Sequence, residues 1–181
     1  MFAALGGHIA RGIQHPGALE LFRPGIDVRA EVGAIQAGGR DPFPRPEDMY
    51  PDALPCLRAL AAQGYRLGVA GNQPIEAAAA IEGLGIDLDL VATSDGWGVA
   101  KPDPRFFARI SDELGLAAGM IAYVGDRVDN DVIPAHDAGM AAVFVRRGPW
   151  AWIQAGRDDP EQASIVIERL TDLPEALGSL R

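Results

Sequence analysis

The sequence predicts an α/β protein with a Rossmann-like parallel sheet, helices on both faces of that sheet, and a small, partial helical cap. Three observations indicate this class. From about residue 50, short apolar runs alternate with helical patterns. Several of these runs are almost continuously apolar, which is typical of strands covered by helices on both faces. Glycine and proline also stand where helices should end and begin.

The predicted elements follow one another in a βαβ order, which favours a parallel sheet. Strands are predicted at 65–71, 89–94, 120–125, 141–146 and 164–170. Helices are predicted at 53–63, 74–83, 103–114, 131–138 and 172–180. Asp103 is a suitable N-cap and Pro104 a suitable first-turn residue for the helix that carries Phe106 and Phe107.

The first 48 residues have a different character from the rest of the chain. Phe2, Leu5, Ile9 and Ile13 recur at helical spacing, and a Gly/Pro-rich stretch follows before residue 51. We therefore predict two parts, namely a partial helical cap with its linker at 1–48 and an α/β core at 49–181.

Composition narrows the possible partners. The net charge of −9 argues against nucleic acid, because such binding depends on basic residues that displace counterions. No apolar run approaches the length of a membrane span, and the single cysteine, Cys56, excludes an intrachain disulfide and suits a reducing cytoplasm. The sequence thus favours a small anionic ligand and leaves a homo-oligomer open.

Polar residues follow three of the predicted strands. They are Gly71, Asn72 and Gln73 after the first, Ser94, Asp95 and then Lys101 after the second, and Asp126, Asp129 and Asp131 after the third. Ligands of parallel sheets bind beyond the carboxyl ends of the strands. Converging carboxylates imply a hard cation such as Mg²⁺, and a lysine could grip a phosphate oxygen. The alternative is that 126–131 is a solvated loop that caps a helix.

Two motifs make the family recognisable. Lys-Pro-Asp-Pro at 101–104 precedes a phenylalanine pair, and Val-Gly-Asp at 124–126 precedes a second aspartate, Asp131, five residues later. With their flanking segments, in this order, they resemble the haloacid dehalogenase superfamily of Mg²⁺-dependent phosphatases and related hydrolases over roughly residues 50–178.

The resemblance implies a role for each matching residue. Lys101 would steady the nucleophile and the transferring phosphoryl group of a small phosphorylated substrate. Asp126 would bind Mg²⁺, and Asp131 would support the metal or orient the lysine. Residues 1–48 would form the cap that covers the site. Phosphate or substrate would lie against Gly71, Asn72, Gln73, Ser94 and Asp95.

The sequence departs from the family pattern in two places. Gly71 replaces the hydroxyl residue that would bind phosphate, so Asn72 and backbone N–H groups would have to substitute in part. The strand that carries the aspartate nucleophile, expected centrally between the strands ending at Gly71 and Gly125, has no counterpart before residue 50. Loss of this strand would leave buried backbone groups of its neighbours without hydrogen-bond partners, and each such group costs about 1–3 kcal/mol of folding free energy.

We expect that the missing nucleophile reflects an amino-terminal segment not included in this sequence. The alternative is a degenerate motif, with Ala4 and Gly6 at the positions of the two aspartates. In either case this chain should bind metal poorly and turn over little substrate.

Two rival interpretations belong to other classes. A receiver domain also pairs carboxylates with Lys-Pro, but its acidic residues precede the lysine, the reverse of Lys101 before Asp126. A non-catalytic binding or scaffold protein could have kept the fold and lost the motifs. Asp87 and Asp89 precede a strand rather than follow one, so we do not expect them to act as nucleophile and metal ligand.

Overall fold

The computed structural model describes residues 23–38, 49–154 and 159–180, and the following account concerns these ranges. The chain divides into two compact units, 1–44 and 45–181. The helix predicted around Phe2–Ile13 lies outside the described residues. In the first unit, helix α1 spans Val28–Ala37, and Asp27 Oδ1 accepts a hydrogen bond from the Ala30 N–H at 3.0 Å. The cap assignment itself stays a prediction.

The second unit alternates strands and helices in the predicted order. Its strands are β1 Gly68–Gly71, β2 Leu90–Thr93, β3 Ala122–Gly125, β4 Ala141–Val145 and β5 Ile165–Ile167. Its helices are α2 Ala53–Ala62, α3 Ala77–Glu82, α4 Ser94–Trp97, α5 Pro104–Leu114, α6 Ile133–Asp137, α7 Gly148–Gln154 and α8 Leu173–Gly178. A π-helical turn at Val128–Val132 leads into α6, and 3₁₀ turns lie at Ala118–Met120 and Leu170–Asp172.

The strands form two parallel ladders. β1 pairs with β2, and β3, β4 and β5 pair in that order. In the described part of the chain no strand joins β1 to β3, and all four residues of β3 are only half-buried although β4 beside it is almost wholly buried. The gap lies where the sequence analysis expects a strand to be lacking.

Alternate side chains of β4 face two different cores. Ala142 and Phe144 pack in one cluster with α5 and α6, whereas Val143 and Val145 pack in another with α2 and α8. Each fully buried large apolar side chain stabilises the fold by about 1.5–3 kcal/mol. Helices therefore cover both faces of the sheet, and the prediction of a Rossmann-like α/β fold is confirmed.

Helix α5 begins and ends at the signals read from the sequence. The Asp103 side chain accepts a hydrogen bond from the Arg105 N–H at 2.9 Å, and Gly115 closes the helix at a φ of 64°. A positive φ is accessible to glycine at little cost, so the helix ends there.

The short helices α4 and α7 were not predicted. α4 is only four residues long and is held at its start by Thr93, whose Oγ1 accepts a hydrogen bond from the Gly96 N–H at 3.1 Å. A single turn carries no apolar periodicity, so Ser94 and Asp95 read as a loop. None of the helices in the described ranges has the length and apolar content needed to cross a bilayer.

Asp52 links three distant parts of the core. It accepts hydrogen bonds from both terminal nitrogens of Arg147 and, at 2.9 Å, from the Leu170 N–H. The carboxylate thus joins the start of α2 to the segment after β4 and to the turn before α8. Its side chain is 17% exposed and that of Arg147 is 19% exposed, so water can replace these bonds only in part.

Replacing Asp52 with alanine should destabilise the protein, because the Arg147 guanidinium and the Leu170 N–H would lose their acceptor. We expect the free energy of unfolding to fall by about 1–3 kcal/mol in urea denaturation. The control is Glu113→Ala, which removes an exposed pair with Arg109 and should change stability by less than about 1 kcal/mol. Equal losses in the two variants would contradict the linking role of Asp52.

The contribution of Asp52 should also depend on pH. The hydrogen bond from Arg147 lowers the pKa of Asp52 below its ordinary value, although burial acts in the opposite direction. A carboxylate with a depressed native pKa stabilises the fold above its unfolded-state pKa and loses that effect as pH falls through the native value. The stability difference between wild type and Asp52→Asn should therefore shrink between about pH 5 and about pH 2. A difference that stays constant over this range would contradict the assignment.

Candidate functional site

The carboxyl ends of β1, β2 and β3 are followed by the polar residues singled out in the sequence. The parallel register places Gly71 of β1 beside Thr93 of β2, so residues 72–73 and 94–95 leave the ladder side by side. The loop after β3 carries Asp126 and Asp131. We call residues 126–131 the carboxylate loop.

Lys101 and Asp131 form a buried ion pair. Lys101 Nζ lies 2.6 Å from Asp131 Oδ1, and their side chains are 12% and 5% exposed. Asp131 Oδ2 accepts a second hydrogen bond from the Arg127 N–H at 3.1 Å. A Cβ at Gly125 would lie 2.6 Å from Asp131 Oδ2, so glycine at this position allows the carboxylate to approach the strand. This ion pair is the contact expected of an aspartate that orients the lysine, and both roles that the resemblance implies for Asp131 stay predictions.

Tyr123 lies beside this ion pair. Its ring centroid is 5.5 Å from Lys101 Nζ, and its hydroxyl donates a 3.4 Å hydrogen bond to the Ala70 carbonyl of β1. Burial raises the pKa of Tyr123 to about 12, so the phenol is neutral near neutral pH. Burial disfavours the charged form of Lys101, but Tyr123 and Asp131 raise the pKa of the lysine above its ordinary value. Because the phenol is neutral, Asp131 supplies the countercharge that keeps Lys101 protonated.

Asp126 occupies a different environment in the same loop. No other described residue donates a hydrogen bond to its carboxyl group. Burial and, second, the neighbouring Asp131 raise the pKa of Asp126 above its ordinary value. A carboxylate with these surroundings is stabilised by a cation that approaches it.

Asn72 holds the backbone of Lys101 in place. Its side-chain Nδ2 donates to the Lys101 carbonyl at 2.9 Å, and its Oδ1 accepts from the Lys101 N–H at 2.7 Å. Both ends of the amide are engaged by one residue, and the Lys101–Pro102 peptide bond is cis. These bonds give the Asn72 amide a part in positioning Lys101, and the expectation that it compensates in part for the hydroxyl missing at Gly71 stays a prediction.

The Gln73 carbonyl joins Gln73 to Ser94 and Asp95. The Gln73 carbonyl accepts from Ser94 Oγ at 3.2 Å and from the Asp95 N–H at 3.3 Å. These bonds connect the ends of β1 and β2 and do not involve the Lys101 side chain. The structure thus brings Asn72, Lys101 and Asp131 together, whereas the known contacts of Gln73, Ser94 and Asp95 shape the neighbouring loop.

The sequence analysis missed two residues of this site. In the sequence Tyr123 looks like an ordinary strand residue. Its contacts with Lys101 and Ala70 join two separate ladders, and the sequence does not show how close those ladders lie. Arg127 reads as one charge in an acidic loop, yet its backbone N–H binds Asp131. Only the placement of an arginine directly after Asp126 could have drawn attention to it.

Asp89 has a structural role at the opposite end of β2. Its Oδ2 accepts from the Leu67 N–H at 2.9 Å, and its Oδ1 accepts from Arg66 Nε at 2.9 Å. These bonds hold the amino ends of β1 and β2 together, as expected for a residue that precedes a strand.

Asp126 and Asp131 are the acidic residues available for a metal. Nowhere in the described ranges do three His, Cys, Asp or Glu side chains converge as a complete ligand set. Two carboxylates nevertheless fit a hard cation such as Mg²⁺, which prefers oxygen ligands and commonly binds one or two carboxylates together with water and substrate phosphate. Within the described ranges Asp126 receives no hydrogen bond from another residue, which supports this fit.

Comparison with known proteins identifies relatives of the chain. The model of the haloacid dehalogenase-like hydrolase family matches residues 14–139, well over half of the chain. The glyceraldehyde 3-phosphate phosphatase of Methanopyrus kandleri is 33% identical over 134 residues, which are 72% of this chain and 57% of that protein. The plasmid-encoded phosphoglycolate phosphatase of Cupriavidus necator is 30% identical over 186 residues, 99% of this chain and 77% of that protein.

Solved structures show the same fold. The crystal structure of a HAD phosphatase from Thermococcus onnurineus has a TM-score of 0.66 and 27% identity, covering 91% of this chain and 70% of that one. The chain spans little more than half the length of the Methanopyrus enzyme and of its Methanocaldococcus jannaschii counterpart, at 57% and 58%. On the family match and these relatives, the chain belongs to the haloacid dehalogenase-like hydrolases.

Proposed function

We propose that this chain is the core of a Mg²⁺-dependent phosphatase that acts on a small phosphorylated metabolite. The observation that carries the proposal is the contrast within one site between Lys101, pinned by Asp131 at 2.6 Å, and Asp126, which no other described residue partners. The relatives named glyceraldehyde 3-phosphate phosphatase and phosphoglycolate phosphatase support a phosphate ester of two or three carbons as substrate. The lone, buried Cys56 is compatible with a cytoplasmic location.

Lys101 would bind the phosphoryl group. Its ammonium carries three donors, of which Asp131 takes one, and its largely buried position strengthens its attraction for a phosphate oxygen. Asn72 fixes its backbone, so the donor is held in place before substrate arrives. Such preorganisation is a main source of transition-state stabilisation in phosphoryl transfer.

Asp126 and Asp131 would hold the metal. When bound, Mg²⁺ would neutralise charge on the phosphoryl oxygens and help to align the substrate. Asp131 would serve both the metal and the lysine, while Asp126 would be committed to the metal alone. Gly71, Asn72, Gln73, Ser94 and Asp95 would line the phosphate side of the site, with the backbone supplying the donor that a hydroxyl at position 71 would have offered.

The aspartyl nucleophile would come from outside the described residues. It would lie between the carboxyl ends of β1 and β3, where the described chain has no strand. Without it no covalent aspartyl intermediate can form and the metal lacks a ligand. We therefore infer that the chain as given turns over little substrate. The second candidate is a non-catalytic binding protein, which the missing hydroxyl at Gly71 favours.

Metal binding tests the roles of the two carboxylates. We use Mn²⁺ as a paramagnetic substitute for Mg²⁺ and expect the chain to bind it weakly. Asp126→Asn should weaken Mn²⁺ binding by about tenfold or more, because a charged ligand is lost. Electron paramagnetic resonance of free Mn²⁺ measures this affinity. The control, Asp112→Asn, changes an exposed aspartate of α5 and should leave it unaltered. Equal affinities in wild type and Asp126→Asn would remove Asp126 from the site.

Measurements of turnover distinguish the two candidate functions, an enzyme and a non-catalytic binding protein. We expect p-nitrophenyl phosphate with Mg²⁺ to be hydrolysed very slowly by this chain, and much faster by the chain extended with any codons that precede Met1 in frame in the genome. Asp126→Asn and Lys101→Met in the extended protein should each lower kcat by about 10²-fold or more, because each removes charge stabilisation of the transition state. If the extended protein binds Mn²⁺ but has no activity toward this ester, phosphoglycolate or glyceraldehyde 3-phosphate, the binding protein is favoured.

A further inference from the structure

Helix α7 contacts the carboxylate loop through three of its residues. A Cβ at Gly148, the first residue of α7, would lie 3.5 Å from Asp126 Oδ2. Trp150, the third residue of the helix, is 4% exposed and lies against the guanidinium of Arg127. Gln154, the last residue, accepts a hydrogen bond from the Val128 N–H through its Oε1 at 3.0 Å. The helix therefore borders the first part of the loop, at residues 126–128.

Arg127 connects α7 to Asp131. The guanidinium carbon of Arg127 lies 3.8 Å from the centroid of the Trp150 ring, and its side chain is 11% exposed. Its Nη2 and Nε contact the Asp129 carboxylate at 2.7 and 3.1 Å. The backbone of the same residue donates to Asp131 Oδ2 and accepts from the Asp131 N–H at 2.9 Å. Anchoring the side chain thus fixes the backbone groups that hold Asp131.

The cation–π contact is well placed to be strong. A guanidinium that lies over a buried tryptophan and is largely withdrawn from water is attracted to the ring more strongly than one at an exposed site. Planar stacking together with a two-pronged contact to a carboxylate is a property of arginine that lysine cannot reproduce. The geometry should therefore be sensitive to the conservative change to lysine.

We infer that Arg127 is a positioning residue for Asp131, and that Trp150 and Gln154 of α7 form with it a clamp that sets the orientation of this carboxylate. The metal readout used below rests on the proposed function, whereas the positioning role itself does not. We refer to Arg127, Trp150 and Gln154 as the Arg127 clamp.

A purely structural role for the same residues makes a different prediction. If the clamp only stabilised the fold, substitutions would lower the melting temperature and leave the metal affinity of the folded fraction unchanged. If it positions Asp131, metal affinity falls at temperatures where the variant is fully folded. Residues that orient metal ligands typically change metal affinity by about 10–100-fold when altered.

The chain offers a matched control at a second arginine. Arg109 on α5 lies over the Trp97 ring at 5.1 Å and pairs with Glu113, so it combines the same two kinds of contact. Its further hydrogen bond is to the Trp97 carbonyl, at 3.1 Å, and none of its known contacts involves the carboxylate loop. Arg109→Lys therefore makes the same chemical change without touching Asp126 or Asp131.

The experiment compares Arg127→Lys, Arg109→Lys and wild type. Mn²⁺ affinity is measured by electron paramagnetic resonance below the melting transition of each protein, and amide hydrogen exchange at Asp131 is followed by NMR without metal. We expect Arg127→Lys to bind Mn²⁺ about tenfold or more weakly and to exchange the Asp131 amide faster. Arg109→Lys should match wild type in both measurements. Gln154→Met, which keeps the length of the side chain and loses the acceptor, serves if Arg127→Lys fails to fold.

Each outcome decides the matter. Weaker Mn²⁺ binding confined to the clamp variants supports the inference. Wild-type affinity in a folded clamp variant, or an equal loss in Arg109→Lys, overturns it. If wild type itself binds no Mn²⁺, the metal part of the proposed function fails and the exchange data decide alone. Faster exchange at Asp131 with unchanged exchange in the amides of α5 then upholds the positioning role, whereas unchanged exchange at Asp131, or an equal acceleration in α5, overturns it.

Discussion

The buried ion pair between Lys101 and Asp131 is the interaction on which the rest of the structure depends. Lys101 follows β2 of the β1–β2 ladder and Asp131 follows β3 of the β3–β4–β5 ladder, and in the described part of the chain these ladders share no strand pairing. Besides apolar packing, this pair and the bond from Tyr123 to Ala70 tie the two halves at the site. Burying two charges costs several kcal/mol each, and short contacts with further hydrogen bonds are needed to offset that cost.

The same ion pair gives the two aspartates of the carboxylate loop different surroundings. Asp131 is satisfied on both oxygens, by Lys101 and by the Arg127 N–H. Within the described residues no other residue donates to Asp126, and burial together with the charge of Asp131 raises its pKa. A lysine held by one aspartate, with a second aspartate left to its own backbone, is an arrangement suited to binding an anion and a metal together. The phosphatase proposal rests on this asymmetry.

Much of the fold could be predicted from the sequence. Each of the five strands lies within its predicted range, and the capping signals at Asp103 and Gly115 mark the ends of α5, because these features depend on local apolar pattern and backbone preference. Helices α4 and α7 escaped prediction because one or two turns carry too little periodicity. The contact between Trp150 and Arg127 could not be predicted either, because Arg127 follows β3 and Trp150 follows β4, and only the pairing of these strands brings the two residues together.

The sequence by itself determined the residue types at the carboxyl ends of the strands, the family, and the order in which Lys101, Asp126 and Asp131 occur. These are properties of the chain read in one dimension. Only the tertiary structure decided that Asn72 holds the Lys101 backbone, that Asp131 pairs with the lysine while Asp126 does not, and that Tyr123 reaches Ala70. The reason is physical: hydrogen bonds and desolvation depend on distances of a few ångströms between segments that lie far apart in sequence.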